Sequence, residues 1–421
     1  MWRTFLFFYD ECAYYLYKDM LSLRYISFYH SFAWQRLMSN RLLVFNCSTD
    51  MALASGLDNY TPPPMIQCME RELELLPVWW ADDGDVVLVS DIDRAVRFTD
   101  EVNARLEVNG LTQKYIRFAD WKGRMSDKSV KWNELQPVPW GWNLSLARRL
   151  TRLGISPDAM PASDSLGKMR QFSNRCFAVN YINELFANIL SDDDSNRFGN
   201  RLIGKDMAYT GDWDELVRKA HQLLAEGSCI LKAPWSSSGK GNLVVDEMDG
   251  SVVSWAKAVM MKQGGLCLDR FYDKRLDFAM EFYLSRDGFC TFLGYSLFKA
   301  DAVGKYERNV VASQEQILHN IVSSGADPKL LERLVSYHQH HLLSSFGCDY
   351  EGMVGIDMLL ADVGGRICLH PCIEINLRMN MGVVALKLER QRIPDFYLTP
   401  SDNPHFRARL LNGSFFIEKT R

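Results

Sequence analysis

The sequence predicts an N-terminal α/β module followed by an α+β region, and three observations support this assignment. Strand and helix signals alternate over residues 41–120, which is typical of an open sheet with largely parallel strands. A strand, a Ser/Gly loop and a second strand follow over residues 228–245. Two further strands, predicted over 353–360 and 366–377, are joined by the tight turn "DVGG" and are expected to pair antiparallel.

Composition indicates a folded protein of two or three domains. The chain has 421 residues, of which 47% are hydrophobic and 24% charged. A net charge of −4 gives no electrostatic footprint for nucleic acid, so no nucleic-acid partner is expected. Ten cysteines show no CxxC pair and no His/Cys cluster at zinc spacing, which predicts reduced thiols and a cytoplasmic location.

Residues 1–40 form an aromatic-rich N-terminal extension of uncertain role. Charged residues such as Asp10, Lys18 and Arg24 interrupt every apolar run, so neither a transmembrane segment nor a signal peptide is expected. Two explanations stay open: a peripheral amphipathic helix, or an appended segment that precedes a start at Met38.

The remaining elements follow in chain order. Short apolar runs predict buried strands over 42–45 and 85–91, with a proline-rich loop and a helix between them. Residues 121–165 are expected to be loop-rich. One or two helices follow over 165–190, and an amphipathic helix over 213–225 ends before Gly227.

The loop after the strand that ends at Lys232 is a candidate phosphate-binding segment. Small residues allow backbone N–H groups to approach phosphate oxygens, and a fixed lysine supplies positive charge. The segment lacks the glycine spacing of a Walker A loop and leads into a strand. A plain hairpin turn is the alternative. The loop residues are Ser236, Ser237, Ser238, Gly239, Lys240 and Gly241.

The strand pair near the C-terminus is a candidate metal site. Antiparallel pairing places Asp357 near Glu374 and Asn376 on one face, and these oxygens suit Mg²⁺. The alternative to a metal site is that these acidic residues lie on a solvated strand face or form a salt bridge with Arg378. Together, Lys232 with its loop and the three oxygen ligands describe an ATP site without a P-loop.

The order of a lysine-bearing strand, a Ser/Gly loop, an acidic hinge segment and "GID…EINLR.NMG" resembles the ATP-grasp superfamily of carboxylate–amine ligases. The resemblance covers residues 157–386, and the preceding module is similar to the domain that usually precedes an ATP-grasp domain. It implies that Lys232 contacts the ATP phosphates under a closing loop. It also implies that Asp357, Glu374 and Asn376 hold Mg²⁺ (or Mn²⁺), and that Arg378 stabilises the transferring phosphoryl group.

The resemblance also implies an adenine hinge and a second phosphate-binding cation. "LCLDRFYDKRLDFAMEFYL" fits the hinge, with Asp269 where many members carry glutamate and Asp277 as a ribose or hinge partner. Arg175, with Lys168 behind it, is the candidate cation, although both residues could equally be exposed helix charges.

The resemblance implies a pre-ATP-grasp-like module followed by a two-lobed ATP-grasp fold. The expected function is an ATP-dependent ligase that activates a small-molecule or peptide carboxylate as an acyl phosphate and joins it to an amine, such as that of an amino acid. A small-molecule kinase on the same fold, or an inert nucleotide-binding module, is the alternative, and a homo-oligomer is an open option. The expected division is 1–40 extension, 41–156 pre-ATP-grasp-like domain, 157–228 helical lobe, 229–395 ATP-grasp lobes and 396–421 C-terminal tail.

Overall fold

The structure is a computed structural model that describes residues 40–189, 198–236, 241–301, 304–347, 349–400 and 404–420. The N-terminal extension therefore lies outside the described residues, apart from Asn40. Within the described part of the chain, no helix is both long and apolar enough to span a bilayer.

The N-terminal unit is a parallel four-stranded sheet with flanking helices. Its strands are β1 (Arg41–Val44), β2 (Val86–Val89), β3 (Arg117–Asp120) and β4 (Gln136–Pro139), in the order β3-β2-β1-β4. Its helices are α1 (Thr49–Ser55), α2 (Pro64–Leu73), α3 (Ile92–Val108) and α4 (Leu144–Leu153). Short 3₁₀ turns cover Leu76–Trp79, Trp132–Glu134 and Pro157–Ala159. Every residue of β2 is buried, as expected for a parallel strand that is covered on both faces.

The region expected to be loop-rich, 121–165, consists largely of turns and irregular segments, and it also contains β4 and α4. β4 has the sequence "QPVP", and proline cannot donate a ladder hydrogen bond. The strand is tolerated because it lies at the edge of the sheet, where it pairs only with β1.

Two helices lead from this unit to a small antiparallel sheet. The helices are α5 (Ser163–Phe172) and α6 (Arg175–Ile189). The sheet contains β5 (Ala208–Thr210), β6 (Cys229–Lys232), β7 (Asn242–Val245) and β8 (Leu266–Arg270), in the order β5-β8-β6-β7. Helices α7 (Trp213–Leu224) and α8 (Gly250–Gln263) pack on it around a separate small core. The two strands predicted on either side of the Ser/Gly loop are therefore confirmed as β6 and β7.

The rest of the chain forms an antiparallel eight-stranded sheet. Its strands are β9 (Asp273–Leu284), β10 (Cys290–Ala300), β11 (Tyr306–Val310), β12 (Gly352–Val363), β13 (Arg366–Asn376), β14 (Phe396–Tyr397), β15 (Phe406–Leu411) and β16 (Ser414–Lys419). The order is β13-β12-β9-β10-β11-β16-β15-β14. Helices α9 (Gln314–Ser323), α10 (Pro328–Phe346) and α11 (Met381–Arg390) accompany the sheet. The predicted pair 353–360 and 366–377 is confirmed as β12 and β13.

Residues 396–421, expected as a tail, contribute three strands to this sheet. The turn between β15 and β16 is Asn412-Gly413, and both residues have positive φ (48° and 67°). A type I′ hairpin turn requires this conformation, and Asn-Gly adopts it at low cost. Buried residues alternate along β15, so the strand has one face in the core.

The C-terminal strands and the N-terminal sheet share a hydrophobic core. Leu43 and Val87 of the parallel sheet belong to the same buried cluster as Val383 of α11 and Phe415 of β16. The predicted fold class, α/β followed by α+β, is confirmed in this form. The division of the second part into two lobes stays a prediction.

Candidate active site

Two carboxylates and an amide lie together on β12 and β13. Asp357 is the direct cross-strand partner of Glu374, and Asn376 lies opposite Gly355. Residues two apart on one strand share a face, so Glu374 and Asn376 project to the same side as Asp357. The Asn376 amide nitrogen donates to Asp357 Oδ2 at 3.1 Å. The structure therefore brings the three expected metal ligands together.

The charge balance at this point favours a cation. Among the described residues, no lysine or arginine forms an ion pair with Asp357. Burial, followed by the charges of Glu374 and Glu281, raises the pKa of Asp357 to about 8. Two carboxylates and an amide oxygen on adjacent strands are hard donors, and they fit Mg²⁺ with its remaining positions open to water or phosphate.

Arg175, at the start of α6, connects this strand pair to the small sheet. Its Nη2 donates to both oxygens of Glu374 at 2.9 Å. Its Nη1 donates to the Ala233 carbonyl at 2.5 Å and to Ser236 Oγ at 2.8 Å. The side chain is only 5% exposed, so Arg175 is not an exposed helix charge. One guanidinium thus joins the residue after Lys232 to an expected metal ligand.

Lys232 ends β6 and is 7% exposed. Its strand partners are Asn242 and Cys267. Within the described part of the chain, the ammonium group of Lys232 forms no ion pair with a carboxylate, and its charge acts on the buried Asp269, whose pKa it helps to lower. Of the expected phosphate loop, only Ser236 and Gly241 can be placed, because Ser237, Ser238, Gly239 and Lys240 lie outside the described residues.

Arg378 is held by the N-terminal unit. Its Nε donates to both oxygens of Asp50 in α1, at 2.8 and 2.9 Å. Its Nη2 donates to Asn376 Oδ1 at 2.9 Å and its Nη1 to the Met379 carbonyl at 3.2 Å. Burial would lower the pKa of Arg378, but the charge and hydrogen bonds of Asp50 raise it further above its usual value. Within the described residues the partner of Arg378 is Asp50 rather than Asp357 or Glu374, and sequence reasoning missed this residue.

Glu281 on β9 is a second residue that the sequence did not single out. It is buried and lies opposite Gly355, one strand away from Asn376. It accepts hydrogen bonds from Ser296 Oγ and Asn380 Nδ2, both at 2.7 Å. Burial raises its pKa to about 7. Asn380 in turn caps α11 by accepting from a backbone N–H, so the hydrogen bond between Asn380 and Glu281 connects β9 to the helix that follows β13.

The residues expected at the adenine hinge have protein partners. Asp269 on β8 lies 3.0 Å from His370 Nε2, and both side chains are buried. Burial would raise the pKa of Asp269, but His370 and Lys232 lower it below its usual value. Asp277 forms an ion pair with Lys274 at 2.7 Å. Lys168, expected behind Arg175, forms an ion pair with Asp349 at 2.8 Å, and Asp349 is not one of the partners of Arg175. Among the described residues, neither Asp269 nor Asp277 is hydrogen-bonded to the cluster around Glu374.

A small cleft opens beside the carboxylates. It is bounded on one side by Asp50 and on the other by Trp235 and Ser236, which follow β6. Ser173 and the strand segment 374–377 complete its lining. The cleft therefore lies where the N-terminal unit, the small sheet and the large sheet meet, and Glu374 and Asn376 are among its lining residues.

Comparison with known proteins identifies no relative by sequence. No family model matches the chain, and no curated protein matches it. Solved structures are similar in fold only. The N5-carboxyaminoimidazole synthetase of Staphylococcus aureus, crystallised with ADP, has a TM-score of 0.40 and 9% identity over 83% of this chain and 78% of its own.

Two further structures show the same level of similarity. The biotin carboxylase domain of the Hydrogenobacter thermophilus 2-oxoglutarate carboxylase has a TM-score of 0.43 and 11% identity, covering 85% of this chain and 70% of its own. The D-alanyl-alanine synthetase A of Vibrio cholerae has a TM-score of 0.40 and 13% identity, covering 84% and 94%.

Proposed function

We propose that the chain is an ATP-dependent ligase of the ATP-grasp type, which activates a carboxylate as an acyl phosphate and joins it to an amine. The observation that carries the proposal is the bridge made by Arg175. It hydrogen-bonds Glu374 with one nitrogen and the Ala233 carbonyl with another. Because a guanidinium is only a few Å wide, the end of β6 with Lys232 and the acidic strand pair are within reach of one triphosphate.

Lys232 and Arg175 are the proposed phosphate-binding cations. Both are almost fully buried, so their charges act in a medium that screens them less than water does. Arg175 is bound to Glu374 in the present structure. When nucleotide and metal bind, we expect Arg175 to release Glu374 and to bind phosphate oxygens instead. The Glu374 carboxylate cannot bind the metal ion and the arginine equally well at the same time.

Asp357, Glu374 and Asn376 are the proposed ligands of Mg²⁺. These three residues would hold the ion, which would supply positive charge against the negative charge that develops on the transferring phosphoryl group. The protein holds the three oxygens on the adjacent strands β12 and β13. The hydrogen bond between Asn380 and Glu281 holds the segment that follows β13. Mn²⁺ is a chemically similar alternative.

Arg378 is the proposed stabiliser of the transferring phosphoryl group, and Asp50 its positioning residue. Asp50 occupies Nε and so fixes the plane of the guanidinium beside the cleft. This contact gives the N-terminal unit, proposed as domain 41–156, a part in the site. The acceptor substrates are proposed to bind in the cleft between that unit and the strand segment 374–377.

The proposed reaction has two nucleophilic displacement steps. A carboxylate oxygen of the first substrate attacks the γ-phosphorus, ADP leaves, and an acyl phosphate forms. The amine nitrogen of the second substrate then attacks the acyl carbon, phosphate leaves, and the nitrogen loses a proton to give the amide. Lys232, Arg175 and Arg378 act on the first step, because negative charge moves between phosphate oxygens there.

The test is ATP turnover measured against pooled carboxylates and amines, with mass spectrometry of new amides. Hydroxylamine in place of the amine should trap the acyl phosphate as a hydroxamate. A stable phosphorylated product without hydroxamate would show a kinase instead, and ATP binding without any turnover would show an inert module. Either result would overturn the ligase assignment.

A further inference from the structure

A cysteine, a glutamate and a histidine meet on the side of the N-terminal unit, at α2. Cys68 and Glu72 are four residues apart on this helix and so share a face. His405 comes from the residue before β15, at the other end of the chain. Cys68 Sγ lies 3.5 Å from His405 Nδ1, and Glu72 Oε1 lies 3.4 Å from the same nitrogen. All three ligand atoms are within 4.8 Å of one another.

The arrangement does not fit a nucleophilic triad. In such a triad the thiol and the carboxylate contact opposite nitrogens of the imidazole, so that a proton can pass between them. Here both approach Nδ1. Sulfur, oxygen and nitrogen instead lie within 4.8 Å of one another, which is a separation that ligands of a single metal ion can have.

The distances match a tetrahedral metal ion. Bond lengths of about 2.3 Å for Zn–S, about 2.1 Å for Zn–N and about 2.0 Å for Zn–O place sulfur and nitrogen about 3.6 Å apart, and nitrogen and oxygen about 3.4 Å apart. The observed separations are 3.5 and 3.4 Å. A thiolate, an imidazole and a carboxylate together favour zinc over magnesium or calcium, which prefer oxygen ligands alone.

The surroundings support the same assignment. Glu72 is oriented by backbone N–H groups of His405 and Phe406, at 2.8–3.0 Å. Such outer contacts hold a metal ligand in place. The His405 side chain is 44% exposed, which leaves a path for entry and a position for water.

We propose that Cys68, Glu72 and His405 bind one zinc ion, with a water molecule as the fourth ligand. The site joins α2 of the N-terminal unit to the beginning of β15. It therefore fastens the C-terminal strands to the unit that supplies Asp50 to the candidate active site. The proposal is independent of the ligase assignment, because it depends on none of the residues in that site.

The test is a cobalt titration of the full-length, tag-free chain after removal of bound metal. Co²⁺ bound to a thiolate gives a charge-transfer band in the near ultraviolet, which an all-oxygen magnesium site does not. We expect one Co²⁺ per chain with this band, and its displacement by Zn²⁺. Cys68→Ser should abolish the band, whereas Cys176→Ser, which removes a comparably exposed thiol outside the cluster, should retain it.

His405→Gln provides a second variant in case Cys68→Ser fails to fold. Loss of a residue that merely orients a ligand commonly weakens metal binding about 10–100-fold, so loss of the His405 ligand should weaken it at least about 100-fold. Zn²⁺ should also raise the Tm of the wild type and of Cys176→Ser, but not of His405→Gln. The absence of a thiolate band in the wild type, or equal Co²⁺ affinity of His405→Gln and Cys176→Ser, would overturn the proposal.

Discussion

Replacing Arg175 by Gln should strengthen the binding of a divalent cation in the absence of nucleotide. Arg175 Nη2 contacts both oxygens of Glu374, so the arginine and a metal ion compete for one carboxylate. The Arg175 side chain is 5% exposed and that of Glu374 28%. The free energy that this pair contributes should therefore lie between two values. An exposed ion pair contributes less than about 1 kcal/mol, and a buried hydrogen bond to a charged group contributes about 1.5–3 kcal/mol. A value of about 1.4 kcal/mol corresponds to a tenfold change in the dissociation constant.

The assay is a titration of nucleotide-free protein with Mn²⁺, whose unbound fraction is measured by electron paramagnetic resonance. Arg201→Gln is the matched control, since Arg201 forms an ion pair with Asp327 at 3.3 Å away from this cluster. We expect about tenfold tighter binding in Arg175→Gln alone, together with weaker binding of ATP. If Arg175→Gln bound Mn²⁺ no more tightly than Arg201→Gln, competition for Glu374 would be refuted.

Three further predictions concern residues around the site and in the N-terminal unit. Asp50→Asn should lower kcat about tenfold with little change in KM for ATP, because it weakens the contact that positions Arg378. Steady-state kinetics test this, with Asp58→Asn as the control, since Asp58 pairs with Arg148 instead. Glu281→Ala leaves two buried donors unpaired and should lower the free energy of unfolding by about 2–4 kcal/mol in urea titrations; an unchanged value would contradict the buried network. Burial raises the pKa of Glu74 from 4.5 to about 7, so the folded state keeps a proton that the unfolded state loses. The free energy of unfolding should therefore fall by about 2.5 kcal/mol from pH 5 to 8 relative to Glu74→Gln, and parallel stability curves would contradict this.

The strand pair of the site could be predicted from the sequence because its signals are local. Apolar and polar residues alternate around Glu374, and the short turn at Gly364 and Gly365 fixes which residues oppose each other. A β-bulge between Leu359 and Asp357 then shifts the pairing by two residues, so that Asp357 lies opposite Glu374 rather than Cys372, on the same face of the sheet. Lys232 could be placed in the same way, at the end of an apolar strand before a loop of small residues.

The partners of the arginines could not be predicted, because they depend on contacts between distant segments. Arg175 and Glu374 are 199 residues apart, and Asp50 and Arg378 are 328 apart. Asp50 nonetheless had a signal, since it lies just after a buried parallel strand, where ligand sites of α/β sheets form. Glu281 had one too, because a carboxylate within a largely buried strand requires buried partners.

The cluster of Cys68, Glu72 and His405 likewise depends on a contact between distant segments of the chain. Cys68 and Glu72 have helical spacing, but their third partner, His405, is 337 residues from Cys68. Sequence spacing alone therefore indicated no zinc site. The C-terminal strands differ, because the alternation in β15 and the Asn412-Gly413 turn were local signals for a hairpin.

The most direct measurement is calorimetric titration of the chain with ATP, with and without Mg²⁺, in the wild type, Lys232→Met and Lys219→Met. Lys219 lies on the surface of α7 near Glu215 and serves as the charge-matched control. We predict one ATP per chain, tighter binding with Mg²⁺, and a loss of about 10–100-fold in Lys232→Met only, as expected for a charged hydrogen bond to phosphate. Absence of ATP binding in the wild type, or equal affinities of the two lysine variants, would contradict a nucleotide site between Lys232 and Glu374.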